Sequence, residues 1–287
     1  MLRTALAAPF RAVLEQHDLV RVAGAHDALG AVLAQEAGFH AVWSSSLEVS
    51  AARCLPDASL LGMSEYLDAA VNMQKALSVP VVADCDTGYG NNLNVAHMVH
   101  EYEAGGITAV CIEDKMFPKI NSFAAVDHSL LDISTFARKI EVAKNAQQSP
   151  DFFLIARTEA LISGLDVDEA LKRCSAYADA GADAVLVHSK IRTSEQITRF
   201  LDGWDKAVPV VVVPTTYPEW DARAAAAAGV SVVIYANHGL RATVSSLRDT
   251  YGAILRAGSS VEVEDRIASV REVFALQRLD AWQALDW

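Results

Sequence analysis

The sequence lacks the features that are typical of nucleic-acid-binding, disulfide-rich and membrane proteins. Its 24 Lys and Arg residues are outnumbered by 36 Asp and Glu, giving a net charge of −12, and no basic cluster could follow a phosphate backbone. The four cysteines show no CxxC or other metal-binding spacing, and three lie in or beside apolar runs, as reduced core residues do. No apolar run reaches transmembrane length, and the N-terminus has no signal-peptide core. We therefore expect a cytoplasmic protein that binds neither nucleic acid nor membranes.

Apolar residues, in contrast, make up 52% of the 287 residues, which is enough for a sizeable core. One pattern recurs along the chain: an alanine-rich helical end, a glycine, and then a run of Val, Ile and Ala. It occurs as EAGFHAVW from Glu36, EAGGITAVC from Glu103, DAGADAVLV from Asp179 and AAGVSVVIY from Ala227. Glycine suits the left-handed position that ends a helix, and continuous apolar runs are typical of strands buried on both faces. Each occurrence therefore predicts a helix that leads into a parallel strand.

Completing this pattern gives eight strand candidates separated by helical segments. They are LVRVAG from Leu19, AVWSSS from Ala41, VPVVAD from Val79, TAVCIED from Thr108, FFLIAR from Phe152, AVLVHS from Ala184, PVVVVPT from Pro209 and SVVIYA from Ser231. Eight alternating strands and helices predict an α/β protein with a (β/α)8 TIM barrel. The alternative, a doubly wound open sheet, is disfavoured because no GxGxxG follows the first strand.

Two helical segments lie outside the eight units. One precedes the first strand, and the other runs from Val261 and carries Trp282 near its end. A long amphipathic terminal helix packs either on its own barrel or against another subunit. Because the chain contains no linker and no low-complexity segment, we expect residues 1–287 to form one barrel domain.

Several strands end in acidic residues at the rim where barrel active sites form. Asp84 and Asp86 are two residues apart, so both side chains leave the third strand on the same side. With Glu113 of the neighbouring strand they would form a carboxylate cluster, which a hard divalent cation such as Mg²⁺ would stabilise. The alternative for Asp86 is that it caps a turn with Thr87.

Two further polar residues end strands five and six. Arg157 offers a permanently charged fork that can bind a carboxylate or phosphoryl group, although it could instead form an ion pair with Glu159 or Glu113. His188 is a candidate hydrogen-bond donor or general acid, with a purely structural hydrogen bond as the alternative.

These motifs resemble the phosphoenolpyruvate mutase branch of the isocitrate lyase superfamily. The resemblance is carried, in family order, by VWSSSLEVSA, DCDTGYGN, EDKMFPKINSF, IARTEA, HSK and YANHGLRA, and it extends to VREVFALQR. It implies a Mg²⁺-dependent (β/α)8 barrel that acts on a small phosphonate or enolphosphate. It also implies a homotetramer, a dimer of helix-swapped dimers, so the C-terminal helix from Val261 is expected to be a swapped element.

The resemblance further assigns roles to individual residues. Mg²⁺ would be held mainly by Asp84, largely through water, with Asp86 and Glu113 around it. The substrate's carboxylate and keto oxygens would contact Arg157 and the backbone of residues 45–47, that is Ser45, Ser46 and Leu47, beside a wall formed by Trp43. Asp57 and His188 would lie near the phosphoryl group. Residues 115–123, called the lid below, would close over the substrate and contact the migrating group through Lys119, Asn121 and Ser122.

The lid also separates the branches of the superfamily. Lyases that cleave C–C bonds carry a cysteine in this loop and phosphonopyruvate hydrolases a threonine, whereas this chain has Asn121 and no cysteine. We therefore expect interconversion of phosphoenolpyruvate and phosphonopyruvate. Hydrolysis of phosphonopyruvate stays an alternative, because residues 44–46 replace the family's Gly-Ser-Gly and residues 124–132 lack its Asp-Gly-Arg. A lyase acting on a 2-methylisocitrate-like acid and a barrel without catalysis are further alternatives.

Overall fold

The structure is a computed structural model that describes residues 7–124 and 128–285. Eight parallel strands close into a barrel in chain order, and the eighth pairs with the first. They are β1 (Val20–Ala25), β2 (Ala41–Ser44), β3 (Val81–Asp84), β4 (Ala109–Glu113), β5 (Phe153–Thr158), β6 (Ala184–Val187), β7 (Val210–Val212) and β8 (Val232–Tyr235). The predicted (β/α)8 barrel is confirmed, and the open-sheet alternative is wrong because β8 pairs with β1.

Helices follow the strands around the barrel and extend the chain at both ends. They are α1 (Phe10–Gln16), α2 (Ala28–Glu36), α3 (Ser46–Ala52), α4 (Met63–Ala76), α5 (Asn92–Ala104), α6 (Ile133–Ala146), α7 (Val167–Asp179), α8 (Glu195–Gly203), α9 (Ala222–Ala227), α10 (His238–Ala257), α11 (Val270–Leu276) and α12 (Leu279–Gln283). Side chains that cap helix starts include those of Asp27, Asp166 and Asp221.

The strands are apolar on both faces because each lies between the barrel interior and the helix layer. Val22, Val82 and Ile155 belong to a buried cluster inside the barrel. The predicted N-terminal helix is confirmed as α1, which closes the amino-terminal end of the barrel. Its Phe10 is fully buried with its ring centroid 5.3 Å from that of Phe153. The opposite end of the barrel, where the strands terminate, is not covered by α1.

The glycines that end the helices behave as predicted with one exception. Gly38, Gly181 and Gly229 have φ values of +89°, +103° and +98°. Gly105, which was expected to adopt the same conformation, has a φ of −72°, and the following Gly106 has a φ of +81° instead. Where two glycines follow a helix, the second can supply the left-handed position equally well.

The C-terminal helical segment is confirmed, but it is not one continuous helix. The long helix is α10, which ends at Gly258 in the left-handed conformation, with φ +68°. The stretch from Val261 contains a short 3₁₀ turn, then α11 and α12. Ser269 and Glu272 form a capping box that starts α11, and Arg278, with φ +56°, separates α11 from α12.

None of the helices in the described part of the chain combines the length and the apolar character that a bilayer crossing requires. The cytoplasmic location and the single domain over residues 1–287 stay predictions.

Candidate active site

A small cavity of about 50 Å³ lies at the carboxyl ends of the strands, where the barrel brings most of the predicted site residues together. The predicted residues that line it are Trp43, Ser45, Ser46, Leu47, Asp57, Asp84, Lys119, Asn121, Ser122, Arg157 and His188. The two others, Asp86 and Glu113, are buried beside it, since Asp86 contacts Lys119 and Glu113 contacts Arg157.

The turn after β2 forms one wall of this cavity. Ser45 accepts a hydrogen bond from the Glu48 N–H (3.3 Å), so α3 begins directly at the cavity. The Ser46 hydroxyl donates to Asp84 Oδ2 (2.9 Å) and accepts from Lys119 Nζ (3.1 Å). The serine that replaces a family glycine at position 46 therefore joins the turn to β3 and to the lid.

The three predicted metal-site acids lie at the same mouth of the barrel. The Glu113 N–H donates to the Asp86 carbonyl oxygen (2.7 Å), and the Asp86 N–H lies 3.3 Å from Asp84 Oδ1. Their carboxylates have different partners, however. Within residues 7–124 and 128–285 no three His, Cys, Asp or Glu side chains are grouped so that they could hold a metal ion directly. The assignment of all three acids to a metal site stays a prediction.

Asp84 differs from the other two acids because it faces the cavity without a cation in contact. Its carboxylate accepts hydrogen bonds from Ser46 and the Asp86 N–H, and no ion pair to it within 4.0 Å occurs among the described residues. Asp86 pairs with Lys119 and Glu113 with Arg157. A carboxylate that faces a polar cavity suits a hard cation that keeps several waters, as Mg²⁺ does. The site therefore fits Mg²⁺ held at Asp84.

The lid is closed over the cavity through Asp57. Lys119 Nζ lies 2.9 Å from Asp57 Oδ1 and 2.8 Å from Asp86 Oδ1. Asn121 donates from Nδ2 to Asp57 Oδ2 (2.8 Å) and from its backbone N–H to the Asp57 carbonyl oxygen (2.9 Å). One buried carboxylate thus fixes both predicted lid residues above the reaction space.

Burial and charge act in opposite directions on the ionisable groups beneath the lid. Burial raises the pKa of Asp86 to about 7, against the effect of the Lys119 ammonium. Burial also acts to raise the pKa of Asp57, but Lys119 and the Asn121 hydrogen bond outweigh it, so this pKa lies below its usual value. Burial acts to lower the pKa of Lys119, whereas the surrounding carboxylates raise it well above its usual value. Lys119 is therefore a cation when the lid is closed.

Arg157 forms both of the ion pairs considered for it and also lines the cavity. Its Nε lies 2.6 Å from Glu159 Oε1 and 3.2 Å from Glu113 Oε2. Its Nη2 donates to the Ser122 hydroxyl (3.1 Å). The two carboxylates hold the guanidinium in one orientation at the cavity wall, so its structural and substrate-binding roles are compatible.

His188 lies beside this guanidinium. Its Nδ1 is 2.9 Å from Arg157 Nη2 and 3.1 Å from Glu159 Oε1. Nδ1 thus faces both a donor, the Arg157 guanidinium, and an acceptor, the Glu159 carboxylate, and it can accept from the one or donate to the other. Nε2 is buried without a hydrogen-bond partner among the described residues. Burial lowers the pKa of His188, partly offset by Glu159. The ring therefore offers the cavity a nitrogen, Nε2, that is not engaged elsewhere.

Some cavity residues were not predicted from the sequence. Thr215 and Asn237 line the wall after β7 and β8, and the Thr215 hydroxyl is buried without a partner among the described residues. Lys115 and Glu159 lie behind the cavity and contact Ser122. Lys115 and Glu159 carried a usable signal in the sequence, because each is a charged residue just beyond the end of a predicted strand, where barrel active sites form.

The fold and the residues at the carboxyl end of the barrel define the class of protein. An eight-stranded barrel with acids, an arginine and a lid at its carboxyl end places the chain in the phosphoenolpyruvate mutase/isocitrate lyase superfamily. The family model described as phosphoenolpyruvate phosphomutase matches residues 10–255, and the chain belongs to this family.

Individual relatives are similar over nearly the whole length. A phosphonopyruvate hydrolase of Variovorax sp. (strain Pal2) is 42% identical, over 96% of each chain. A solved phosphoenolpyruvate phosphomutase from Streptomyces platensis subsp. rosaceus is 52% identical over 98% of each chain, with a TM-score of 0.96. A solved phosphonopyruvate hydrolase in complex with oxalate and Mg²⁺ is 41% identical, over 97% of this chain and 96% of that one, with a TM-score of 0.91.

The lowered pKa of His188 predicts a pH dependence of stability. The unfolded state, in which histidine has a pKa of about 6.5, binds more protons than the folded state just below that value. Stability contributed by His188 is therefore present above pH 6.5 and lost as the pH falls through the folded-state pKa, by at most about 1.4 kcal/mol per pH unit. In urea unfolding, the difference between wild type and His188→Asn should shrink from pH 7.5 to pH 5.5. A constant difference would contradict the assignment of a neutral His188.

Proposed function

We propose that the chain interconverts phosphoenolpyruvate and phosphonopyruvate with the help of Mg²⁺. The observation that carries this proposal is the closure of the lid through Asp57, which puts Lys119 and Asn121 over a small cavity. Such a rearrangement breaks the bond between phosphorus and the enol oxygen and forms one between phosphorus and the methyl carbon. The migrating group carries negative charge and is captured by water unless it is enclosed.

The pyruvyl part of the substrate would bind at the inner end of the cavity. Arg157, oriented by its two carboxylate partners, can bind the substrate carboxylate. Residues 45–47 and Trp43 line the same cavity. These contacts would hold the enol face in one orientation, so that the methyl carbon and the enol oxygen both face the phosphoryl group.

Asp84 would hold Mg²⁺, largely through water, with Asp86 and Glu113 around it. When bound there, Mg²⁺ would offset the negative charge of the substrate's carboxylate and keto oxygens. Support comes from the geometry of Asp84, which faces the cavity without an ion pair among the described residues, and from the Mg²⁺ in the structure of the related hydrolase.

The phosphoryl group would lie beneath the lid. Lys119 supplies a positive charge, Asn121 is a hydrogen-bond donor, and His188, whose Nε2 has no partner among the described residues, lines the same space. Asp57 would position Lys119 and Asn121 rather than attack the substrate, because both lid residues already occupy its oxygens. Preorganised donors of this kind lower the barrier of a charged transfer step.

Hydrolysis of phosphonopyruvate is a second candidate at the same site. It is favoured by the similarity to the hydrolase of Variovorax and by the serines at positions 44 and 46, which add side chains where the family has glycines. C–C bond cleavage has less support, because the lid residues described carry no thiol for the proton chemistry of the lyases.

Phosphorus NMR with phosphonopyruvate and Mg²⁺ tests the proposal. The wild type should form phosphoenolpyruvate, and Asn121→Ala should lower kcat about 100-fold, as loss of one donor to a transition state does. Asn145→Ala, an exposed change on α6, is the matched control and should leave kcat unchanged. Rapid accumulation of pyruvate and phosphate without phosphoenolpyruvate would reject the mutase and support the hydrolase. Cleavage of a 2-methylisocitrate-like acid would support a lyase.

We also propose that the C-terminal segment from Val261 is swapped between paired subunits, that α10 contributes to the same contact, and that the pairs assemble into a tetramer. Along α10 an apolar stripe is exposed, formed by Val244 (40%), Leu247 (44%), Tyr251 (59%) and Leu255 (84%). A continuous apolar surface of this kind usually contacts another subunit. The spacing of three and four residues puts the stripe on one face of the helix.

Light scattering during size-exclusion chromatography tests the assembly. The wild type should elute with four times the chain mass. The double variant Leu247→Glu/Tyr251→Glu should elute as a monomer, because two charges cannot be buried in an apolar contact. Ser245→Glu, on the other side of α10, is the control and should preserve the tetramer. A monomeric wild type would contradict the proposal.

A further inference from the structure

A buried lysine that was not predicted as a site residue lies behind the lid. Lys115 is 2% exposed, and its ammonium donates to two parts of the lid, the Ile120 carbonyl oxygen (3.1 Å) and the Ser122 hydroxyl (2.7 Å). The same nitrogen lies 3.1 Å from Glu159 Oε2 on the barrel. The buried Lys115 ammonium thus links the start of the lid, where Lys115 lies, to the end of the lid at Ser122 and to the barrel at Glu159.

The hydrogen-bonding capacity of the Ser122 hydroxyl is fully occupied in this arrangement. It accepts from Lys115 Nζ and from Arg157 Nη2, and it donates to Glu159 Oε2. A hydroxyl has one proton and two lone pairs, so no capacity is left for a further hydrogen bond. With the lid closed, Ser122 serves as the point where the lid is attached to the barrel.

Glu159 is a rigid anchor for this attachment. Its carboxylate is fully buried, and its backbone N–H donates to Asp114 Oδ1 (2.9 Å). Asp114 is held in turn by the hydroxyls of Thr158 and Tyr177, each at 2.8 Å from Oδ2. The anchor therefore belongs to a buried hydrogen-bond network of the barrel, whereas Lys115 and Ser122 belong to the lid.

We propose that Lys115 and Glu159 are positioning residues that hold the lid shut and thereby set how much of the phosphoryl group is transferred and how much is lost to water. This inference rests on the proposed function. In the competing reaction a water oxygen forms a bond to phosphorus while the carbon–phosphorus bond breaks, so phosphonopyruvate and water give pyruvate and phosphate. Neither residue lines the cavity, so the effect would act through closure of the lid.

Lys115 and Glu159 each contact a further group that the other does not contact. An effect that both substitutions share therefore reports on their common contact with Ser122. Lys115 also lies 3.7 Å from Glu113 Oε1, whereas Glu159 also contacts Arg157 and His188. Lys115→Met and Glu159→Gln would disturb different neighbours in the cavity wall. The attachment of the lid at Ser122 is what both changes disrupt.

The test measures the ratio of phosphate to phosphoenolpyruvate formed from phosphonopyruvate and Mg²⁺ by phosphorus NMR. This ratio does not depend on the fraction of folded enzyme. Both variants should raise it about tenfold, as loss of one buried hydrogen bond does. Lys144→Met, which removes a lysine paired with Asp183 (2.7 Å) before β6, is the matched control and should keep the wild-type ratio. If both variants kept the wild-type ratio of phosphate to phosphoenolpyruvate while their total rates fell, this inference would be overturned and the proposed function would stand.

Hydrogen exchange of peptides covering residues 115–124 provides a second readout that needs no activity. Protection of these amides should fall in Lys115→Met and Glu159→Gln and not in Lys144→Met. Protection equal to wild type in both variants would overturn the inference. If the wild type formed neither phosphoenolpyruvate nor phosphate, the proposed function would be rejected. The hydrogen-exchange data would then show by themselves whether Lys115 and Glu159 attach the lid to the barrel. A wild type that forms only phosphate would overturn both proposals.

Discussion

The structure depends on the compensation of buried charge at the mouth of the barrel. Burying an isolated ion costs several kcal/mol, so the acids at the strand ends require cations in contact. Lys119 bridges Asp57 and Asp86, and Arg157 pairs with acids of two neighbouring strand ends. Asp84 lacks such a partner among the described residues and faces the cavity. The charge pattern therefore leaves one carboxylate at the cavity without a cation from the described residues, and we propose that Mg²⁺ binds there.

The same charges couple the lid to the chemistry. The lid follows β4 directly, and in its closed position its Lys119 contacts Asp57 and Asp86 beside the cavity. If the lid opened, Asp57 and Asp86 would lose their contact with Lys119. Under the proposed function, closure of the lid would therefore exclude water and place Lys119 over the reacting group at the same time.

The sequence predicted the strands well because continuous apolar runs report burial on both faces. The alternation of side chains along a strand does not describe Asp84 and Asp86, because β3 ends at Asp84 and Asp86 follows in a left-handed conformation with φ +52°. Lys115 and Glu159 lie just beyond β4 and β5, and their importance depends on a hydroxyl contributed by the lid, a contact that no local pattern encodes. The interruptions after α10 were missed because the capping box at Ser269 lies within a stretch whose amphipathic spacing resembles that of one helix.

Calorimetric titration with Mg²⁺ tests the central claim most directly. If Asp84 is the carboxylate reserved for the metal, the wild type should bind Mg²⁺ and Asp84→Asn should bind it at least about 100-fold more weakly, since a neutral amide is a far poorer ligand for a hard cation. Asp68→Asn, on the exposed face of α4, should bind like the wild type. Equal Mg²⁺ affinity in wild type and Asp84→Asn would contradict this account of the site.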